Sequence, residues 1–178
     1  HYLGSGKTED LKSYISQYRM TLPPDVARTW CENYAVNTIV CYYAEEARKA
    51  GIDFSVRLEL PKQLSINEAE LCSILGNLLE NALEACRKLP QEQRYIILEA
   101  TYIKEMLQIC IKNGSPEKLK KDSSGRYLTT KEDNGWHGIG LASVEQALAD
   151  YNGELFTKYE HGEFRVSAVL YSNSIEKN

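Results

Sequence analysis

No stretch of 18 apolar residues occurs in this chain of 178, which excludes a membrane-spanning helix. No leader peptide is legible either. The five cysteines are an odd number, and no two stand as C-x-x-C. With three histidines far from one another, that spacing argues against a zinc site. It points instead to reduced thiols, three of them in core-like stretches, in a cytoplasmic setting. A net charge of −4 gives no general field for a polyanion, so no nucleic-acid partner is expected. There is no G-x-x-x-x-G-K-[ST] segment, and no strand runs directly into a G-x-G, so a Walker-type phosphate loop and a dinucleotide fingerprint are both excluded. Repeats and low-complexity tracts are missing as well.

What is present suits one domain, or one domain with a helix or two added. Thr8 to Met20 repeats Leu11, Tyr14, Ile15 and Tyr18 at helical spacing, and Pro23-Pro24 breaks it. Trp30 to Ala50 reads as a long helix stopped by Gly51. Ile52 to Leu60 alternates apolar and polar, a half-buried strand ended by Pro61. Ser65 to Leu89 reads as a second long helix, capped by Ser65 or Asn67. Tyr95 to Tyr102 and Met106 to Lys112 form a hairpin about Lys104-Glu105. From Asn113 to His137 no period survives; the segment is longer than most connections, which suggests a flexible lid. A helix from Leu141 to Tyr151 and two strands, Glu154 to Tyr159 and Glu163 to Tyr171, close the order. The expected fold class is α/β, a two-layer sandwich with helices on one face of a mixed, mostly antiparallel sheet.

Three segments carry candidate chemistry. On the helix containing Leu71 to Lys88, Leu71, Ile74, Leu75, Leu78, Leu79, Ala82 and Cys86 form an apolar stripe at 100° per residue. Asn77, Asn81 and Glu84 fall in a narrow polar line, with Glu80 beside it. Two asparagines one turn apart do nothing for a helix backbone; their oxygens can reach one ion or water. Read alone, that line is equally a solvated face. Gly138-Ile139-Gly140-Leu141 opens a helix after the lid, where free N–H groups and the helix dipole favour an anion such as phosphate; glycine before a helix is also common. Asn113-Gly114 ends a strand, where an amide can read the edge of a base, and is also a favoured turn pair.

Taken together, NLLENALEA, KNGSP and HGIGL resemble the N box, G1 position and G2 box of the GHKL nucleotide-binding (Bergerat) fold, shared by gyrase and sensor histidine kinases. The resemblance covers residues 30–171. Within the superfamily, NYAVNTIVCYYAEEARKAGI, NLLENALEA and TTKEDNGWHGIGLASV are most similar to sensor histidine kinases of the peptide quorum-sensing type. The resemblance implies ATP and Mg2+ as cofactors. Asn81 would hold Mg2+, and Asn77 would support the phosphates or an ordered water. Asn113, with Gly114 beside it, would meet the adenine amino group. Gly138 and Gly140 would receive the phosphates, with Ile139 and Leu141 in the same segment. Lys131 in the lid would pair with the γ-phosphate, and His137 would shape the lid exit. Asn77 and Lys131 are the residues that would act in catalysis.

Three departures qualify the likeness. Asn113-Gly114-Ser115-Pro116 stands for D-x-G-x-G, so the adenine contact would be made without charge. Glu84 stands where many such kinases carry a cation, with Arg87 or Lys88 the nearest replacement. Asn77 stands where the ATP-hydrolysing relatives place a glutamate, which favours phosphoryl transfer over hydrolysis. None of His1, His137 and His161 lies on a helix before an acidic residue. Residues 1–29 are therefore expected to be the remnant of a dimerisation and phosphoacceptor region, and 172–178 a tail. The expected partners are the phosphoacceptor helical domain of the same kinase and a response regulator. The full-length protein is expected to be a homodimeric membrane sensor, with this part cytoplasmic and making no membrane contact of its own. The competing expectations are a serine kinase of the anti-sigma type and a degenerate GHKL interaction module.

Overall fold

A computed structural model describes residues 29–116 and 139–172. Helix α1 (Tyr34–Lys49) starts at Asn33, whose side chain accepts the Val36 N–H. It starts later than the expected Trp30 because Trp30 donates its N–H to Asn37 Oδ1 at 2.8 Å. The chain there is tied to the outside of the first turn rather than wound into it. Gly51, at φ 64°, ends the helix as expected. Helix α2 (Glu68–Arg87) is capped by Asn67, which accepts from Ala69 and Glu70. Helix α3 (Ile139–Ala149) begins two residues before the expected start and ends before Tyr151.

The strands are β1 (Asp53–Glu59), β2 (Tyr95–Ile103), β3 (Met106–Gly114), β4 (Glu154–Glu160) and β5 (Glu163–Tyr171). They form one sheet in the order β1-β2-β3-β5-β4. The β1–β2 pair is parallel and the other pairs are antiparallel. Both hairpins close on residues in the left-handed region: Lys104 and Glu105 at φ 48° and 62°, His161 and Gly162 at 49° and 79°. Two such residues in a row give the turn whose twist matches the flanking strands. At the first hairpin Ser172 supports the strained pair, its N–H and its hydroxyl both bonding Glu105 O.

The three α-helices among the described residues lie on one face of the sheet. α2 is the middle helix, packed on α1 to one side and α3 to the other, over β2 and β3; α1 contacts β1, and α3 contacts β4 and β5. The core lies between the layers. Leu71, Ile74, Leu75, Leu78 and Leu79 of α2 meet Ile96, Leu98, Ile109, Ile111 and Val166 of the sheet. This is the expected two-layer α/β sandwich. The expected helix over 8–20, the lid with Lys131, His137 and Gly138, and residues 173–178 lie outside the described residues. No described helix is long and apolar enough to cross a membrane.

None of the five cysteines is in a disulfide; Cys86 is buried and the other four are half-buried. Burial pushes the Cys86 thiol up to about 11.

Candidate functional site

The site is organised along α2. Its apolar stripe must face the sheet, so the polar line is turned up and sideways, toward α3. Asn77 and Asn81 are half-buried there rather than set in open solvent. A Cβ built on Gly140, in the first turn of α3, would stand 3.3 Å from Asn81 Nδ2, 3.5 Å from Asn81 Oδ1 and 3.8 Å from Asn77 Oδ1. The glycine thus brings the helix start directly against both amides. Leu141 is half-buried and packs on the core beneath, and Ile139 opens the helix.

The two amides differ. Asn77 Nδ2 donates to Ser73 O at 2.9 Å. That bond fixes the orientation of the group, because a carbonyl can only accept, and it leaves Oδ1 as the free end toward Gly140. Asn81 Nδ2 is buried and has no hydrogen-bond partner among the described residues. A buried donor left this way costs about 1–3 kcal/mol, and in native proteins such groups concentrate where a ligand or water completes them. The first N–H groups of α3 have no intrahelical acceptor and carry the positive end of its dipole. Two amides and a positive helix end on one small space fit an anion with an associated hard cation.

No cluster of three His, Cys, Asp or Glu that could hold a metal occurs among the described residues. The carboxamide oxygens of Asn77 and Asn81 are hard donors facing this space. So sparse a set suits Mg2+, which keeps waters and binds largely through substrate phosphates.

Asn113 lies at the far end of β3. With Leu107, Ile109 and Ile111 it shares the face toward the helices, and it is only 2% exposed. Asn113 and Gly114 are both strand residues, so the pair is not a turn. Gly114 is required by close approach: a Cβ there would stand 2.4 Å from Gln93 O. Asn113 Nδ2 donates to Gly114 O at 2.8 Å, so Oδ1 is the end left to accept. Cys86 of α2 reaches the same place, its thiol 3.6 Å from Gly114 O. Asn113 therefore lies under the C-terminal part of α2, and Gly140 lies beside its middle.

Arg87 does not replace the cation missing at Glu84. Its guanidinium turns to the α1 side, 3.7 Å from Glu46 and 3.9 Å from Glu80. On that side Tyr43 donates to Gly76 O at 3.0 Å; burial first, and the nearby Glu80 next, push its hydroxyl up to about 12.

A depression of about 440 Å³ on the open face of the sheet, lined in part by Arg57, Lys112 and Arg165, is unrelated to α2. Its cations are paired with Glu59, Glu99 and Glu163.

One feature of the site had no signal in the sequence. Tyr151, just past α3, accepts the Asn67 N–H and donates to Glu70. The Asn-x-x-Glu pattern of a helix start is legible, but its distant third member is not.

The architecture is an α/β sandwich whose paired asparagines, Asn77 and Asn81, face Gly140 in the first turn of a helix. The family described as GHKL domain matches residues 66–170, and the chain belongs to that family. Sensor histidine kinase NatK of Bacillus subtilis (strain 168) is 27% identical over 143 residues, covering 78% of this chain and 45% of NatK. The chain thus spans less than half the length of that curated relative. Among solved structures, the nucleotide-free catalytic domain of histidine kinase ThkA superposes with a TM-score of 0.60 at 17% identity, covering 79% of this chain and 92% of that domain. The mycobacterial sensor histidine kinase MprB gives a TM-score of 0.54 at 21% identity, over 76% of this chain and 95% of that one. ThkA in complex with the response regulator protein TrrA gives 0.60 at 16% identity, over 82% of this chain and 41% of that one. At these identities the structural likeness is one of fold.

Proposed function

We propose that this chain is the catalytic, ATP-binding module of a two-component sensor histidine kinase, of the kind that senses peptide quorum signals. ATP would enter between α2 and the start of α3. Its phosphates would meet the N–H groups of Gly138 and Gly140 and the amide of Asn77. Asn81 Oδ1 would hold Mg2+. When bound, the metal supplies charge neutralisation for the phosphoryl group in transfer. Asn113 Oδ1 would accept from the adenine amino group, its own Nδ2 being engaged by Gly114 O. That polarity favours a base with an amino donor over one with a carbonyl at the same position. Lys131 would pair with the γ-phosphate, His137 would shape the exit of the lid, and Ile139 and Leu141 would belong to the same phosphate-binding segment as the glycines.

The γ-phosphoryl would pass to a histidine on a separate helical domain, with residues 1–29 a remnant of that region and 172–178 a tail. A response regulator would receive it next. ThkA has been solved with such a partner. The full-length protein would be a homodimeric membrane sensor with this module in the cytoplasm.

The observation that carries the reading is the meeting of Gly140 with Asn77 and with the unbonded amide of Asn81. Calorimetric titration of Mg-ATP, or of an unreactive analogue, tests it. Binding is expected with the wild type and loss with Asn81→Ala. No heat with the wild type would leave the degenerate interaction module as the better account. For the kinase step, labelled phosphate is expected on an added phosphoacceptor fragment and not on this chain alone. Label on a serine of an added partner would favour the anti-sigma type.

A further inference from the structure

Helices α2 and α3 run antiparallel, held together at two places. Gly140 meets Asn77 and Asn81 at one, and Tyr151 meets Asn67 and Glu70 at the other. The same number of residues separates Glu70 from Asn81 as separates Gly140 from Tyr151, roughly three turns on each helix. The second contact therefore sets how far α3 slides along α2.

That contact is built in an unusual way. Asn67 caps α2 and accepts from the Ala69 and Glu70 N–H groups. Glu70 stands where a capping box places the glutamate that reaches back to the cap's own N–H. Here it does not reach back directly. The hydroxyl of Tyr151 stands between, accepting the Asn67 N–H at 3.1 Å and donating to the Glu70 carboxylate. The Tyr151 residue is only 8% exposed, and its base is rigid. Its carbonyl accepts from Tyr171 of β5 at 3.1 Å. Gly153 behind it is packed so closely that a Cβ would stand 2.2 Å from Val169 O. The capping box of one helix is thus closed through the end of the other.

We infer that Tyr151 is a positioning residue, whose hydroxyl, locked into the capping box of α2, fixes the separation of Gly140 from Asn77 and Asn81 at the opposite end of the helix pair. The nucleotide half of this inference rests on the proposed function; the structural half does not. Removing the hydroxyl leaves Glu70 free to close the box on Asn67 directly, so α2 stays capped while α3 loses its tether.

The test compares Tyr151→Phe, Glu70→Ala and Glu70→Gln with the wild type in hydrogen exchange and in titration. In the nucleotide-free protein, exchange of the hydrogen-bonded amides of α3, from Val144 onward, is expected to rise several-fold in Tyr151→Phe and Glu70→Ala. Glu70→Gln, which keeps an acceptor for the hydroxyl, is expected to restore wild-type exchange. Affinity for an unreactive Mg-ATP analogue is expected to fall several-fold in the first two variants, with affinity for adenosine unchanged. Unaltered exchange in Tyr151→Phe overturns the inference, as does an equal loss for adenosine and the triphosphate. A wild type that takes no nucleotide would overturn the functional reading alone, and the exchange comparison would then decide this one.

Discussion

Gly140→Ala separates stability from binding. Gly140 lies in the first turn of α3, and its backbone is not in the left-handed region. Alanine there is conformationally allowed and is favoured over glycine in a helix by about 0.8–1 kcal/mol. Against that gain stands one tight contact, the new methyl 3.3 Å from Asn81 Nδ2. Asn81 Nδ2 has no hydrogen bond to break among the described residues, so it can shift by a few tenths of an ångström. Net stability should stay within about 1 kcal/mol of wild type. Binding should respond differently, because the methyl occupies the space between the helix start and both amides. Loss of one well-placed phosphate contact is worth at least about tenfold in affinity, or about 1.4 kcal/mol. Urea unfolding and calorimetric titration with a Mg-ATP analogue read the two quantities on the same sample. Affinity within twofold of wild type would refute the placement of the phosphates at this turn.

Other consequences follow from the buried polar groups. Asn113→Asp replaces the donor to Gly114 O with a carboxylate at a 2%-exposed position, which should cost about 1–3 kcal/mol near pH 8. Burial raises the folded pKa of that aspartate above its unfolded value of about 3.9. The deficit should therefore vanish at low pH, where a protonated carboxyl can itself donate, and grow as pH rises from the unfolded to the folded value. Urea midpoints at pH 4.5 and 8 check this, and a deficit that does not grow with pH contradicts it. Cys86, its thiol raised from 9.0 to about 11 by burial, should be the last cysteine modified by a thiol reagent at pH 8, since the thiolate is the reacting form. The stability gained by keeping it neutral is complete below pH 9 and is lost as pH rises through about 11. Mass-mapped labelling that finds Cys86 as reactive as Cys110 would count against its burial.

Regular alternation and regular periodicity were legible; exceptions made by distant groups were not. Ile52 to Leu60 shows its pattern openly, and β1 follows it. Leu71 to Cys86 shows a stripe that falls into the core residue by residue. Trp30 looks like part of α1 because nothing near it in sequence marks the tie to Asn37. Asn113-Gly114 has the composition of a turn, yet it continues β3 because Gln93 O closes in where a side chain would be. Asn77 and Asn81 were identifiable as candidates only with the glycine segment in view. Their polar line alone does not distinguish a wet face from a cleft, and α3 is what decides it. Tyr151 had no signal, since its partners lie far back in the chain and a tyrosine after a helix is ordinary.

Within the helix layer, two unfavourable local choices stand side by side. Gly140 costs about 0.8–1 kcal/mol relative to alanine, and Asn81 Nδ2, without a hydrogen-bond partner among the described residues, costs about 1–3 kcal/mol. They meet at 3.3 Å from the position of a Cβ on that glycine, while α2 around them is apolar where it should be and well capped. In a sequence otherwise consistent with its fold, violations at one point mark a place where something other than stability is selected. A substitution at Asn81 should therefore act opposite to the usual effect of mutating a half-buried residue. Asn81→Leu keeps the branching and the number of heavy atoms, removes the buried donor and adds a better helix former. It should hold its urea midpoint or raise it, by up to about 1 kcal/mol, while abolishing nucleotide binding. If the leucine variant is instead destabilised by more than about 1 kcal/mol, the amide is bonded in the free protein, and the case for a site built at its expense is lost.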